Sequence, residues 1–134
     1  MVKDYAGAII QRSDDTKFLL QLRDNKKSIN NPNRWGIFGG GIEKGEKPLA
    51  ALQRELWEEL QLKVDGKRLK LLRKAYFHGN KNYIYLIYLS GKELSKIKLM
   101  EGQRFDYFSR WQIVFGGRVL FSVRLIFLLL DFNL

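Results

Sequence analysis

The 134-residue sequence predicts an α/β fold in one domain, residues 1–134, and three observations carry that prediction. Short apolar runs bounded by turn residues read as strands, a single amphipathic stretch between them reads as a helix, and the C-terminal end is a strongly apolar segment. With 46% hydrophobic and 13% aromatic residues the chain can bury a core of its own, which sets aside a disordered tail.

In chain order, "YAGAIIQR" and "KFLLQLRD" flank "SDDT" and predict a hairpin whose second strand ends at Arg23. "NKKSINNPNR" is a polar loop. Trp35 to Phe38 predicts a short strand ending in three glycines, and Lys47 to Leu60 predicts a helix. Leu49, Leu52, Leu56 and Leu60 form its apolar stripe, and Pro48 stands in the first turn, where a missing N–H costs nothing. "RLKLLRKAYFHG" and "NYIYLIYLSG" predict a second strand pair around "GNKN", and "RFDYFS" a further strand. Val119 to Leu130, interrupted only by Ser122 and Arg124, predicts a helix that buries its surface on the domain or in a homodimer, with membrane attachment as the runner-up because the run lacks the strongly polar face of an interfacial helix.

The chain has no cysteine and one histidine, His78, so disulfides, thiolate zinc sites and histidine metal clusters are excluded. Any metal must be held by oxygen. Lys and Arg number 24 against 14 Asp and Glu, a net charge of +10 that attracts polyanions such as nucleotides, RNA or acidic membranes. No stretch reaches the roughly 18 uncharged residues of a spanning helix and no signal-like segment opens the chain, so a cytoplasmic location is expected.

Against this basic background the predicted helix concentrates acid. At about 100° per residue, Glu55, Glu58 and Glu59 fall within an arc of roughly 100° beside the leucine stripe. Like charges so spaced repel unless something neutralises them, and a divalent cation would. Oxygen-only ligands select hard ions, and magnesium bridges readily to phosphates, which points to phosphate chemistry.

Gly40, Glu46, Arg54, Glu55, Leu56, Glu58, Glu59 and Leu62, at these spacings, resemble the signature of the Nudix hydrolases. Two positions depart from it: Gln61 stands where glycine is usual, and Phe38 where proline is common. The resemblance implies an α/β/α sandwich around a mixed sheet and cleavage of a nucleoside diphosphate linked to another group. It implies Mg2+ or Mn2+ held by Glu55, Glu58, Glu59 and the carbonyl of Gly40 or its neighbour Gly39. Arg54 would hold Glu55, Glu46 would steady the junction of loop and helix, and the general base would be Glu55 or a glutamate of a later loop.

"EGQRFDYFS" resembles the late loop of the branch that sanitises oxidised nucleotides, making Glu101 the candidate for an added metal ligand or base. Arg23 matches an arginine that binds substrate phosphate in that branch. Ser122 falls where the branch has a guanine-reading asparagine, so guanine sanitising is one option among several. Tyr76, Tyr83, Tyr85 and Tyr107 are candidates for base stacking and Trp35 is read as a packing residue; His78 receives no role. The leading expectation is a pyrophosphohydrolase of free nucleotides. The alternatives are attack on an RNA 5′ end and a Nudix-fold protein that binds without turnover.

Overall fold

Strand β1 (Tyr5–Arg12) is buried at every position but its two ends because it is paired on both edges. The structure, a computed structural model, describes residues 3–77 and 79–130, so His78 lies outside the described residues. β1 runs parallel to β6 (Asn80–Leu89) along its whole length. On its other edge, the first half pairs antiparallel with β4 (Phe38–Gly41) and the second half with β2 (Phe18–Leu22). Outward from β2 lie β3 (Trp35–Gly36) and β7 (Arg104–Phe108). β5 (Lys70–Phe77) closes the far edge against β6, with an irregularity between Leu71 and Arg73. One parallel pair among antiparallel ones makes this seven-stranded sheet mixed.

Period-two alternation divides the side chains between two cores. Ala6, Ala8, Ile10, Leu19, Ile87 and Leu89 face α1 (Pro48–Leu60), which supplies Ala51, Leu52, Leu56 and Leu60. Ile9, Phe18, Leu20 and Leu86 face the other way, onto Ile113 of α3 (Arg110–Phe115) and Val123 and Phe127 of α4 (Phe121–Leu129). The result is the expected α/β/α sandwich. Phe18 and Phe127 meet edge to face at 4.7 Å across the second core.

The boundaries differ from the sequence reading in three places. Lys47 is the extended cap residue before α1, not its first turn. The glycines at 39–41 do not end a strand but form most of β4, pressed against β1: a Cβ at Gly39, where φ is +148°, would collide with the Ala6 carbonyl. The apolar C-terminal run also yields only nine helical residues, preceded by Val119 in a bridge to Trp35 and by Leu120 as cap. A short helix α2 (Gly91–Leu94) follows β6. Among the described residues no helix is long and apolar enough to cross a membrane.

Candidate active site

α1 lies over β4 with its carboxylates turned toward the glycines. The Glu55 carboxyl sits against the α-carbon of Gly40, in the space a Cβ there would fill. Glu59, one turn on, is 3% exposed and is built into the structure by two donors. The Gly39 N–H donates to its Oε1 at 2.8 Å and the Gln21 side-chain amide to its Oε2 at 2.9 Å. The helical arc of the sequence reading thus places Glu59 among buried groups, not at a solvated rim.

Burial dominates the acid–base behaviour of both residues. It pushes the Glu59 carboxyl up to about 8, against the opposing hydrogen bonds from Gln21 and Gly39 and with help from the negative Glu55 and Glu101. Glu55 is also raised by burial, partly offset by its hydrogen bond from Arg54, with Glu58 and Glu101 adding repulsion.

Arg54 is the centre of a clamp. Its Nε and Nη2 bond Glu46 at 2.8 and 3.0 Å, its Nη1 bonds Glu55 at 3.0 Å, and its Nη2 reaches the Gly41 carbonyl at 3.1 Å. The forked contact with Arg54 holds the Glu46 carboxyl down to about 2, and the Glu43 N–H donates to it as well at 3.0 Å. One guanidinium therefore joins strand β4, the loop and the helix. Glu58 is the outermost carboxylate, half-exposed and 3.3 Å from Arg54.

Glu101 arrives from the opposite side. The Met100 N–H donates to the Glu59 carbonyl at 2.8 Å, and Gly102, at φ +85°, packs on Gln21 and the Leu22 carbonyl. This hold leaves Glu101 exposed but close enough that its charge raises both Glu55 and Glu59. Among the described residues no three acidic or histidine side chains are gathered closely enough to hold a metal ion between them.

On the far side of the sheet a cavity of about 360 Å³ opens between the strands and α4. Arg23 lines it, as do Arg73, Asn82 and Ser122, amid aliphatic side chains such as Ile37, Ile84 and Ile126. Arg23 donates from Nη2 to the Asn30 carbonyl at 3.0 Å, while its Nε is buried with no protein acceptor. None of the four candidate tyrosines lines this cavity: Tyr85 is core, Tyr76 is exposed on an edge strand, and Tyr107 lies beneath the Arg12 guanidinium at 3.7 Å.

Tyr5, absent from the sequence reading, does line it. Its ring is wedged against Gly7 and its hydroxyl approaches Gly39. Burial, then the negative Glu59, raise this phenol above its usual range, with Arg23 opposing and Glu55 adding to the rise. The signal was a polar aromatic, Tyr5, two residues from a glycine on the same face of a predicted strand as Ile9; Gln21, a lone amide inside "FLLQL", was the equivalent signal for Glu59's partner.

The family model for the NUDIX domain matches residues 1–119. The chain belongs to the Nudix family. A nucleoside triphosphatase NudI from Escherichia coli is 34% identical over an alignment covering 58% of this chain and 59% of the relative. The Nudix chain thus spans about three fifths of the length of the curated relatives it matches. Among solved structures, the MutT NUDIX hydrolase from Burkholderia pseudomallei superposes with a TM-score of 0.72 at 22% identity, covering 93% of this chain and 95% of that one. The Escherichia coli dihydroneopterin triphosphate pyrophosphohydrolase gives 0.71 at 18%, covering 92% and 90%. These likenesses show that the Nudix fold extends beyond the motif to nearly the whole chain.

Proposed function

We propose that this Nudix domain is a divalent-metal-dependent pyrophosphohydrolase of free nucleotides, cleaving a nucleoside diphosphate linked to another group. The observation that carries the reading is Tyr5, which borders the cavity while lying in the field of Glu59 and Glu55. Among the described residues no carboxylate lines the cavity, so a single ligand would have to reach from it past the Tyr5 hydroxyl, which approaches Gly39, to present its phosphates to Glu55 and Glu59. About 360 Å³ suits one nucleoside-sized group. The names of the NudI relative and of the dihydroneopterin triphosphate pyrophosphohydrolase lend support, since both refer to triphosphate substrates.

The residues fit a hard divalent cation, Mg2+ or Mn2+. The donors are all oxygen, the Glu55 carboxyl lies against Gly40, and burial raises the pKa of both Glu55 and Glu59, at Glu59 with no positive side chain to offset it. Magnesium takes one or two protein carboxylates and completes its shell with water and substrate phosphate, so an open donor set suffices. Glu55, Glu58, Glu59, Glu101 and the Gly40 carbonyl are the oxygen donors that would hold it. When bound, the metal would supply Lewis acidity and offset the charge of the diphosphate.

The chain's own groups do the rest. Arg23, which lines the cavity, would meet a phosphate with its guanidinium. Arg54 would orient Glu55 by holding helix, loop and β4 together. Water would attack phosphorus as the anhydride P–O bond breaks, its proton going to Glu55 or Glu101. Retention of all these glutamates argues against a binder without turnover, and the basic residues gather into no aromatic and basic RNA module.

The test is a panel of nucleoside triphosphates, nucleotide sugars, ADP-ribose, dinucleoside polyphosphates and 5′-triphosphate RNA, each with Mg2+ or Mn2+. The expected products are a nucleotide and either pyrophosphate or a phosphorylated second group, lost on chelation. Turnover confined to RNA would transfer the site to 5′ ends. Binding without any product would make the domain a reader, and turnover undiminished in excess chelator would end the metal reading.

A further inference from the structure

The outer layer of the sandwich has a second, unused surface. Trp111 and Phe115, one turn apart on α3, are 58% and 78% exposed and stack with ring centroids 6.0 Å apart. On α4, Phe121 is 69% exposed, and Leu128 and Leu129 stand out two turns later on the same face. This exposure is not poor packing. Val123 and Phe127, on the opposite face of α4, are already buried against the sheet, as is Ile113 of α3.

Arginines accompany these side chains. From Tyr107 to Leu130 the chain contains Arg110, Arg118 and Arg124 and no acidic residue. The Arg110 guanidinium donates to the carbonyls of Phe127 and Leu130 at 2.7 and 2.8 Å and lies 5.7 Å from the Trp111 ring. It thereby brings Trp111 to the end of α4 that carries Leu128 and Leu129. Arg124 donates to the Val114 carbonyl at 2.8 Å, beside Phe115, and Arg118 is exposed in the turn between the helices.

We propose that the α3–α4 face docks on the surface of an anionic lipid bilayer. Aromatic and leucine side chains enter the headgroup boundary while neighbouring arginines meet lipid phosphates. An amphipathic interfacial helix ordinarily carries its own polar face; here the other face of α4 is packed on the sheet, and the arginines of both helices supply the polar component. A second copy fits less well. A two-fold interface would set these arginines against themselves with no carboxylate from the same segment to receive them. Leu129 also lines the cavity, so the docked face and the cavity share a wall.

Flotation with vesicles of phosphatidylcholine alone, and of phosphatidylcholine with about one third phosphatidylglycerol, tests the proposal. The intact chain should float with the anionic vesicles, release as salt rises, and show tryptophan emission shifted to the blue and quenched by bilayer-embedded quenchers. Trp111→Ala combined with Phe115→Ala should weaken partitioning at least tenfold, and Arg118→Glu at least about fivefold. Lys96→Glu makes the same charge change on the α1 side and should leave binding within about twofold. Circular dichroism confirms that each variant is folded. Absence of flotation, equal binding to neutral vesicles, equal losses for Arg118→Glu and Lys96→Glu, or a solution dimer that already shields Trp111 would each overturn the proposal.

Discussion

The Glu55 carboxyl rests on the α-carbon of Gly40, with no room between them for a methyl group. Gly40 is needed here for space, since no left-handed backbone angle is recorded for it. Gly40→Ala should therefore displace the end of a flexible side chain, at a stability cost of about 1 kcal/mol or less, while reducing turnover at least about 10²-fold. Paired thermal unfolding and steady-state rates decide it. Near-parental turnover would show that the contact does not position Glu55.

Glu55→Gln preserves shape and removes both a ligand charge and a proton acceptor. If Glu55 is the base, turnover should fall by at least about 10² at saturating metal, with the fold intact. Glu101→Gln tells the two candidates apart. A comparable loss there, with Glu55→Gln chiefly weakening metal affinity, would assign proton transfer to the late loop. Rates within about threefold of the parent for both variants would remove the carboxylate helix from catalysis.

Arg54 touches Glu46, Glu55, Glu58 and the Gly41 carbonyl, so its effect on chemistry should pass through Glu55. Arg54→Ala should lower kcat, and the double variant with Glu55→Gln should lose far less than the product of the single losses. Multiplicative losses would mean that Arg54 acts independently, for instance on substrate.

Much of this site was legible because helical period and spacing fix which side chains share a face; the Arg54 clamp follows from residues eight apart across one loop and one turn. The depth of Glu59 was not legible. It depends on β2 delivering Gln21 and on β4 delivering the Gly39 N–H, contacts set by strand pairing far apart in sequence. The cavity was missed for the same reason: Tyr5, Asn82 and Ser122 come from three elements and Arg23 from the loop after β2, and only the tertiary fold assembles them. Helices α2 and α3 were also absent from the sequence expectations, although their starts carry a local signal. "SGKE" and "SRWQ" are capping boxes, with Ser90 and Ser109 each exchanging bonds with the residue three ahead.

Glu59 predicts a pH signature for the metal. Its carboxyl titrates at about 8 in the folded protein against the ordinary 4.5, so between these values the folded state keeps a proton the unfolded chain has released. Without metal, this group's contribution to stability must fall as pH rises through that window. A cation competes with that proton, so stabilisation by added Mg2+ should grow from pH 5 toward pH 8, by roughly tenfold in apparent affinity per unit at most. Glu59→Gln should flatten both trends, with Gln21 turning its amide to accept. Thermal midpoints with chelator or Mg2+ across this range test it; an equal Mg2+ gain at both ends would dissociate Glu59 from the metal.

Gln61 closes α1 where the Nudix signature usually has glycine, and its backbone adopts the left-handed conformation that explains the preference, at φ 54° and ψ 34°. The Gln61 and Leu62 N–H groups donate back to the Trp57 and Leu56 carbonyls at 2.9 and 3.3 Å. A side chain in this conformation costs about 1 kcal/mol, offset in part because the Gln61 amide also donates to the Trp57 carbonyl at 2.9 Å. That bond is solvent-exposed and contributes less than the strain. Gln61→Gly should therefore raise stability by about 0.5 kcal/mol, a shift of roughly 2 °C for a domain of this size, without changing kcat. Gln61→Val, which brings a β-branched side chain and no amide, should lower stability by more than about 1 kcal/mol. A loss of stability in Gln61→Gly would show that the side-chain bond outweighs the strain, making glutamine at this position a favourable alternative to glycine.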